Sequence, residues 1–291
     1  MTATTLRRTF RPARLWLAAL GLAALGLASA LAPLTVPALA LAQALNLGSL
    51  DFCGEPVPLG RVEVHESVDQ ELLLLSEAKS RVWLTLRRSE RHLPVIGQAL
   101  KAAGVPADFQ FLPMAAANLD PLHASGQRRG LWRLTPAEAL AAGLRVDKEI
   151  DERLDPTASS AAAAARLAAL KIKHGSWTLA AAAFIDEGAL TAAQTEAGGE
   201  KDFFKLFVPE TLEKSVSLIL AGKVLYSNPA AYGYRAQHFW PVLAAKRRQL
   251  AAPASLRTTA QELGLDYRTF RDLNPHVLTD QAPAGAWLNV P

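Results

Sequence analysis

The sequence predicts a mainly α-helical domain followed by a small module of two short helices closed by a strand, on three observations. From Glu66 to Arg91 apolar residues recur at spacings of three and four, and no run alternates with period two as far as Tyr226. Cap and stop residues punctuate that stretch at helical lengths: Gly104 with Pro106 beyond it, Thr135-Pro136, Gly143, and Asn228-Pro229. After Ser255 the texture changes to two short helical segments and a strand-like ending, Ala286 to Val290.

The elements follow in order. Leu50 to Leu59 has two prolines, a glycine and no helical period, and is expected to be an extended lead-in strap. Glu66 to Arg91 is expected to be one long amphipathic helix, with Val68, Leu72, Leu75, Val82 and Leu86 on its stripe. The run Leu72–Leu75 is wider than one stripe and predicts burial on more than one side. A helix over Leu93–Ala103 stops at Gly104. Asp108 is expected to cap the next helix, which carries Phe111, Leu112 and Ala115 and ends at Pro121. Thr135, Pro136 and Glu138 supply an N-cap, an N1 proline and an N3 glutamate for a helix reaching about Ala142. Thr157–Lys173 and Thr178–Ile185 are alanine-rich helices, where alanine implies close helix–helix approach. Asp202–Phe207 and Glu210–Tyr226 complete the set. The basic run Lys246-Arg247-Arg248 is expected to be the solvated face of a linker. Ser255-Leu256 then opens a short helix, and Asp266 caps a second that reaches Leu273.

Composition narrows the function classes. Residues 1–42 have a cationic start (Arg7, Arg8, Arg11, Arg14), and Leu15 to Leu31 is almost wholly Leu, Ala and Gly. Cleavage sites follow at Ala38-Leu39-Ala40 or Ala40-Leu41-Ala42. This is an export signal, either cleaved or kept as a membrane anchor, because the apolar run is long enough to span a bilayer. Arg7-Arg8-Thr9-Phe10 leaves the Sec and twin-arginine routes both open. The segment holds four of the 31 Lys+Arg and none of the 27 Asp+Glu, leaving 27 against 27. The chain's basic balance thus belongs to its export signal, and the remainder lacks the excess that nucleic acid binding requires. Membrane contact is expected only through an uncleaved leader. Cys53 is the one cysteine, so no internal disulfide forms. Phe52 fills the place where a lipobox needs a small residue, and Cys53 is expected to be an inert, partly buried thiol. Six histidines lie scattered without metal-ligand spacing, so neither metal nor cofactor is expected.

The residues 111–136, FLPMAAANLDPLHASGQRRGLWRLTP, resemble the active-site segment of the lytic transglycosylases. That family's pattern is approximately PxxESxFxP, then G(L/P)WQ and a proline; Pro113, Asp120, Pro121, Gly130, Leu131, Trp132 and Pro136 match its frame. Three further stretches resemble the family in the right order: Asp151-Glu152-Arg153-Leu154-Asp155-Pro156, Trp177 to Phe184, and Pro209-Glu210 with Ile219-Leu220-Ala221. The similarity spans Leu50 to Tyr234, and LDFCGEPVPL is similar to the lead-in of the family's membrane-bound D type. The resemblance implies a lysozyme-like helical domain over 50–234, a linker over 235–252 and a degenerate LysM-like module over 253–291. It also implies peptidoglycan as ligand, and a periplasmic or cell-envelope location.

In that family a single glutamate is the general acid, protonating the glycosidic oxygen between N-acetylmuramic acid and N-acetylglucosamine while the substrate's acetamido group assists. Such an acid needs an apolar pocket to hold its proton near neutral pH. Here Ala116 stands in its place, Ala117 replaces the following serine, and Arg133 replaces the glutamine of GLWQ. The sugar-lining AYNAGEG is shortened to Ala183-Phe184-Ile185-Asp186-Glu187-Gly188, and the tyrosine of the last helix falls near Ser215. Loss of a general acid alone costs about 10²–10⁴ in rate. No confident catalytic residue remains; Asp120 and Glu187 are the carboxylates that offer a fallback. Ala117, Gly130, Leu131, Trp132, Arg133 and Phe184 are the expected substrate-binding positions. The expectation is an exported cell-wall protein without catalysis that binds peptidoglycan or a cell-wall enzyme. The alternatives are an active transglycosylase using Asp120 or Glu187, and an adaptor that has lost sugar binding.

Overall fold

The computed structural model describes residues 47–235, 238–241 and 245–291. The expected export signal lies outside the described residues. Within them no helix is long and apolar enough to cross a membrane.

The lead-in is turned rather than straight. Strands β1 (Asp51–Phe52) and β2 (Glu55–Pro56) pair as a short hairpin. Its turn is made by Cys53 and Gly54, both at positive φ. The hairpin is pinned from three sides. Phe52 packs edge-on against Phe109 at 5.2 Å, Glu55 accepts from the Trp177 and Thr178 amides at 2.6 and 2.9 Å, and Lys223 bridges Asp51 and Asp108 at 3.1 and 2.8 Å.

The expected long helix is two. Helix α1 (Val62–Glu77) packs on the last helix of the domain, while α2 (Lys79–Ala102) packs on the alanine-rich helix that starts at Pro156. One straight rod does not follow both partners, and the chain breaks at Ala78 (ψ 59°). Helix α2 in turn absorbs the separate helix expected at Leu93–Ala103 and runs through Pro94. An interior proline costs about 3 kcal/mol, and Val82, Leu86, Ile96 and Leu100 buried along one face offset it. The leucine run is also corrected: Leu72 and Leu75 are buried, whereas Leu73 is 42% and Leu74 59% exposed.

A 3-10 turn over Ala107–Gln110 leads into α3 (Phe111–Ala117). Asp108 does not cap that helix. Its carboxylate accepts from Cys53 N at 2.7 Å and from Lys223, tying hairpin to domain. Helix α3 stops at Asn118 and not at Pro121, because Asn118 and Leu119 both take left-handed φ. A small hairpin follows, β3 (Ala124–Ser125) with β4 (Arg128–Arg129), and then α4 (Pro136–Ala141), whose Thr135–Glu138 capping box forms as expected.

Three helices complete the core: α5 (Pro156–His174), α6 (Trp177–Glu196) and α7 (Glu210–Ser227). The alanines of α6, Ala180 to Ala183, are all buried. The closest approach is between α3 and α7, where a Cβ on Gly222 would meet Ala115 Cβ at 2.9 Å. Asp202–Phe207 forms only a 3-10 turn, Phe203–Lys205.

The expected linker is corrected as well. Lys246–Gln249 form strand β5, and β6 (Ala254–Ser255), α8 (Leu256–Glu262), α9 (Tyr267–Leu273), β7 (Gln281–Ala282) and β8 (Trp287–Val290) follow. β5 pairs with β8 and β6 with β7, both antiparallel, around a second core of Leu250, Leu256, Phe270, Val277 and Leu288. The β-α-α-β order is therefore present, with the basic run as its first strand. A run of three cations shows no apolar alternation, so only its pairing with β8 reveals it. This module is joined to the helical domain: Ile150 inserts into its core, Asp151 N donates to His276 O at 2.8 Å, and Leu278 N donates to Glu149 O at 2.8 Å.

Candidate functional site

The corner at Asn118 is held by α2. Arg81 donates from Nε to Asn118 Oδ1 at 2.6 Å and from Nη2 to the Ala115 carbonyl. Two turns further along the same face, Arg88 donates to Asn118 O at 3.0 Å and to Asp120 at 3.1 Å. These bonds complete the last carbonyls of α3 and fix Ala115, Ala116 and Ala117 in register. Ala115 and Ala117 turn into the core with no exposed surface. Ala116, between them, faces outward.

The facing wall is the loop 126–135. Gly130 has φ +78°, and a Cβ there would lie 1.9 Å from the Arg153 carbonyl oxygen, so only glycine fits. Arg153 is buried with Asp151 in a 2.7 Å ion pair, and its Nη1 donates to the carbonyls of Gln127 and Leu134 at 2.8 and 3.2 Å. The segment Asp151–Pro156 thus serves as the clamp under this loop, and Asp155 Oδ1 caps α5 through Thr157 N and Ala158 N. Leu131 is fully buried. Trp132 is buried too, with Nε1 donating to Ser160 Oγ at 3.0 Å and its ring edge-on to Phe184 at 6.0 Å.

The third wall comes from a break in α6. Asp186 has φ −153° and ψ 91°, and its Oδ1 accepts from Ala189 N at 2.9 Å, capping the second half of the helix. The kink frees the Ile185 carbonyl, which accepts from Arg128 Nη2 at 2.9 Å. Helix α7 closes the site.

Together these walls enclose a cavity of about 260 Å³, with Ala116, Trp132, Arg133 and Phe184 on one side and Thr211, Ser215 and Ile219 on the other. Of the expected binding positions, Trp132, Arg133 and Phe184 line it. Ala117, Gly130 and Leu131 do not; they frame it from the core, because outward and inward residues alternate too sharply along α3 and the 126–135 loop for all to face one space. Ser215 is where the last helix meets the cavity, as expected. Arg128, Leu112 and Thr211 also line it and were not expected there. Thr211 lies one helical turn before Ser215, and Leu218 and Ile219 one turn after, so the helical period of α7 carried that signal. Asp186 was marked in sequence only as a member of the shortened loop Ala183–Gly188, and Arg128 had no comparable signal.

Both fallback carboxylates stand elsewhere. Asp120 lies in a separate groove lined also by Arg88, Arg91, Trp240 and Arg247, where it pairs with Arg88 and braces its own turn by accepting from Leu122 N. Glu187 points away beyond the kink, accepting from Lys173 at 2.6 Å and lying 3.5 Å from His174 Nε2. The Lys173 hydrogen bond holds its carboxyl below the usual range, so Glu187 is ionised at neutral pH and has no proton to donate.

The cavity is cationic. Arg128 is balanced, pairing with Glu138 at 3.2 Å, and Arg166 joins the same carboxylate at 3.1 Å. Arg133, half-buried and itself at φ 51°, has no side-chain hydrogen bond or ion pair among the described residues, and its Nε is buried without a partner. Burial first, then Arg128 and Arg81, lowers its pKa. His123 is lowered too, by burial and then by Arg133. No group of His, Cys, Asp or Glu among the described residues is arranged to hold a metal ion. Cys53 is the partly buried thiol expected, and burial pushes its pKa up.

Residues 110–202, which supply this loop, this clamp and the kinked helix, match the family model of the transglycosylase SLT domain. The chain is 26% identical over 232 residues, 78% of its length, to the membrane-bound lytic murein transglycosylase D of Escherichia coli strain K12. The enzyme of the same name from Escherichia coli O6:H1 strain CFT073 matches equally. The chain spans about half the length of these curated relatives, 51%.

Proposed function

We propose that this protein is an exported envelope protein that holds peptidoglycan strands in its SLT cleft without cutting them. The observation that carries this is Ala116. It lines the cavity at the position where the family resemblance places the general acid, and the unassigned charge on the same cavity is a cation, Arg133. Protonating a glycosidic oxygen requires a carboxylic acid with a raised pKa, and a cationic lining acts in the opposite direction. The framing that shapes the cleft is intact, as expected where a binding surface is kept. The LysM-like identity of the C-terminal module, which fits its β-α-α-β order, would add a second saccharide contact.

Zymography on purified murein tests the catalytic half, and co-sedimentation with insoluble murein tests the binding half. The expected results are no clearing band and co-pelleting. Ala116→Glu alone is expected to restore little clearing, because Arg128 and Arg133 would hold the new carboxylate ionised. Ala116→Glu combined with Arg133→Gln is expected to restore more. Failure to co-pellet would leave the adaptor reading standing. A second reading, residual cleavage, is favoured by one observation: Asp186 is a carboxylate on the cavity wall. A clearing band in the wild-type protein that Asp186→Asn abolishes would establish it and overturn the non-catalytic reading.

A further inference from the structure

From the unpaired guanidinium of Arg133 we infer that the cavity is a carboxylate-binding site, taking an anionic group borne by the glycan strand. The inference rests on the reading that this cleft holds peptidoglycan and names the chemical group that it selects.

The geometry is specific to this one side chain. Among the arginines around the cleft, Arg81 is committed to Asn118 and Ala115, Arg128 to Glu138 and two carbonyls, and Arg166 to Glu138 and the Phe184 carbonyl. Arg153 is buried against Asp151. Arg133 alone lines the cavity with its fork unassigned and a buried Nε unsatisfied. A buried N–H without an acceptor is costly, and a guanidinium half removed from water costs more. Such a group is stable where a ligand completes it, and a planar fork of N–H donors matches a carboxylate in two parallel hydrogen bonds. The other charges facing this space agree. Arg128 adds a second cation, and the carboxylate of Asp186 is taken up by the Ala189 amide at the exposed rim.

Two sources of that group on a murein strand are the lactyl carboxylate of a muramic acid whose peptide has been removed, and the C-terminal carboxylate of an intact peptide stem. The cavity, about 260 Å³, holds a carboxylate and part of the sugar or peptide that carries it, but not several sugar rings.

Calorimetric titration of the full chain separates these sources. The probes are an N-acetylglucosaminyl-N-acetylmuramic acid disaccharide with a free lactyl carboxylate, its methyl ester, the disaccharide bearing a peptide stem, and that muropeptide with its C-terminus amidated. The expected result is about tenfold tighter binding of one free acid over its neutral partner, equivalent to about 1.4 kcal/mol. In Arg133→Gln that ratio is expected to fall to near one. In Arg268→Gln, which removes a cation from an exposed pair in the distant module, the ratio is expected to persist. A preference for the lactyl acid assigns that source, and a preference for the free stem assigns the other. Equal affinity of each acid and its neutral partner overturns the inference while leaving the murein-holding reading intact, and that reading fails separately if insoluble murein does not co-pellet. The wild-type comparison of acid with ester decides the matter even if the Arg133 variant does not fold.

Discussion

Gly130 shows how much of this site rests on single positions. Its φ of +78° is strained for any L side chain, and the Arg153 carbonyl occupies the place of a Cβ at 1.9 Å. Backbone oxygen cannot swing aside as a side chain can, and Arg153 is itself fixed by Asp151 and two carbonyls. Gly130→Ala is therefore expected to lower unfolding free energy by about 3 kcal/mol or more in chemical denaturation, and to loosen the loop that presents Trp132 and Arg133. The glycine and the tryptophan were both legible in sequence, but their roles were not. Expected to touch ligand, Gly130, Leu131 and Ala117 shape the wall from behind instead. Which of several adjacent residues faces a cavity depends on φ and ψ at each one, and here Asn118, Leu119, Gly130 and Arg133 all take positive φ. Periodicity assumes regular dihedrals and has no access to such reversals.

Among the elements, α2 carries a titration effect that bears on stability near neutral pH. His92 lies on its buried face, 6% exposed. Burial first, then Arg91 and Arg88, lowers its pKa from 6.5 to about 4. The folded protein therefore prefers the neutral imidazole. Its contribution to stability is fully present above about pH 6.5 and is lost as pH falls towards 4, where the folded form also protonates. The span corresponds to about 3 kcal/mol. Thermal melts between pH 7 and 5 are expected to show the midpoint falling with pH, and His92→Gln is expected to flatten that slope even though its baseline stability drops. The existence of helices at α1, α2 and α5 to α7 was readable from apolar spacing, and the Thr135–Glu138 box from a local motif. Their joints were not. The break at Ala78 arises because α1 and α2 cover different partners, and the continuity through Pro94 arises because one buried face spans it. The kink at Asp186, which opens the Ile185 carbonyl to Arg128, likewise follows from packing around the cleft.

For the whole molecule, the notable contact is between the basic first strand of the C-terminal module and the helical domain. Arg247 Nη2 donates to Asp155 Oδ2 at 2.7 Å, and Asp155 has no exposed surface. The same carboxylate caps α5 with its other oxygen, so one residue ends a helix and receives the neighbouring module. The Arg247 guanidinium also lies over Trp287 at 5.0 Å. Arg247→Ala leaves a buried carboxylate with only its cap bonds, and is expected to cost about 2 kcal/mol, less than for a fully buried pair because Arg247 is partly exposed. Hydrogen exchange should then rise in β5 and β8 ahead of α5 to α7. Comparable protection in the variant would mean that the module is held by Ile150 and the backbone bonds to His276 and Glu149 alone.

The helical class, the caps at Thr135, Ser255 and Asp266, and the presence of a two-helix C-terminal module were legible in the sequence. All are local: each is written in residues within a few positions of one another, where spacing and side-chain chemistry decide. Packing set which charges share the cleft. It kept Asp120 and Glu187 out of it, brought Arg128 to it, left Arg133 unpaired within it, and turned Lys246–Gln249 from linker into strand. Those outcomes depend on partners tens of residues away, such as Arg128 with Ile185 or Arg247 with Asp155. Long-range pairing is set by how whole elements pack, and a one-dimensional pattern does not encode it.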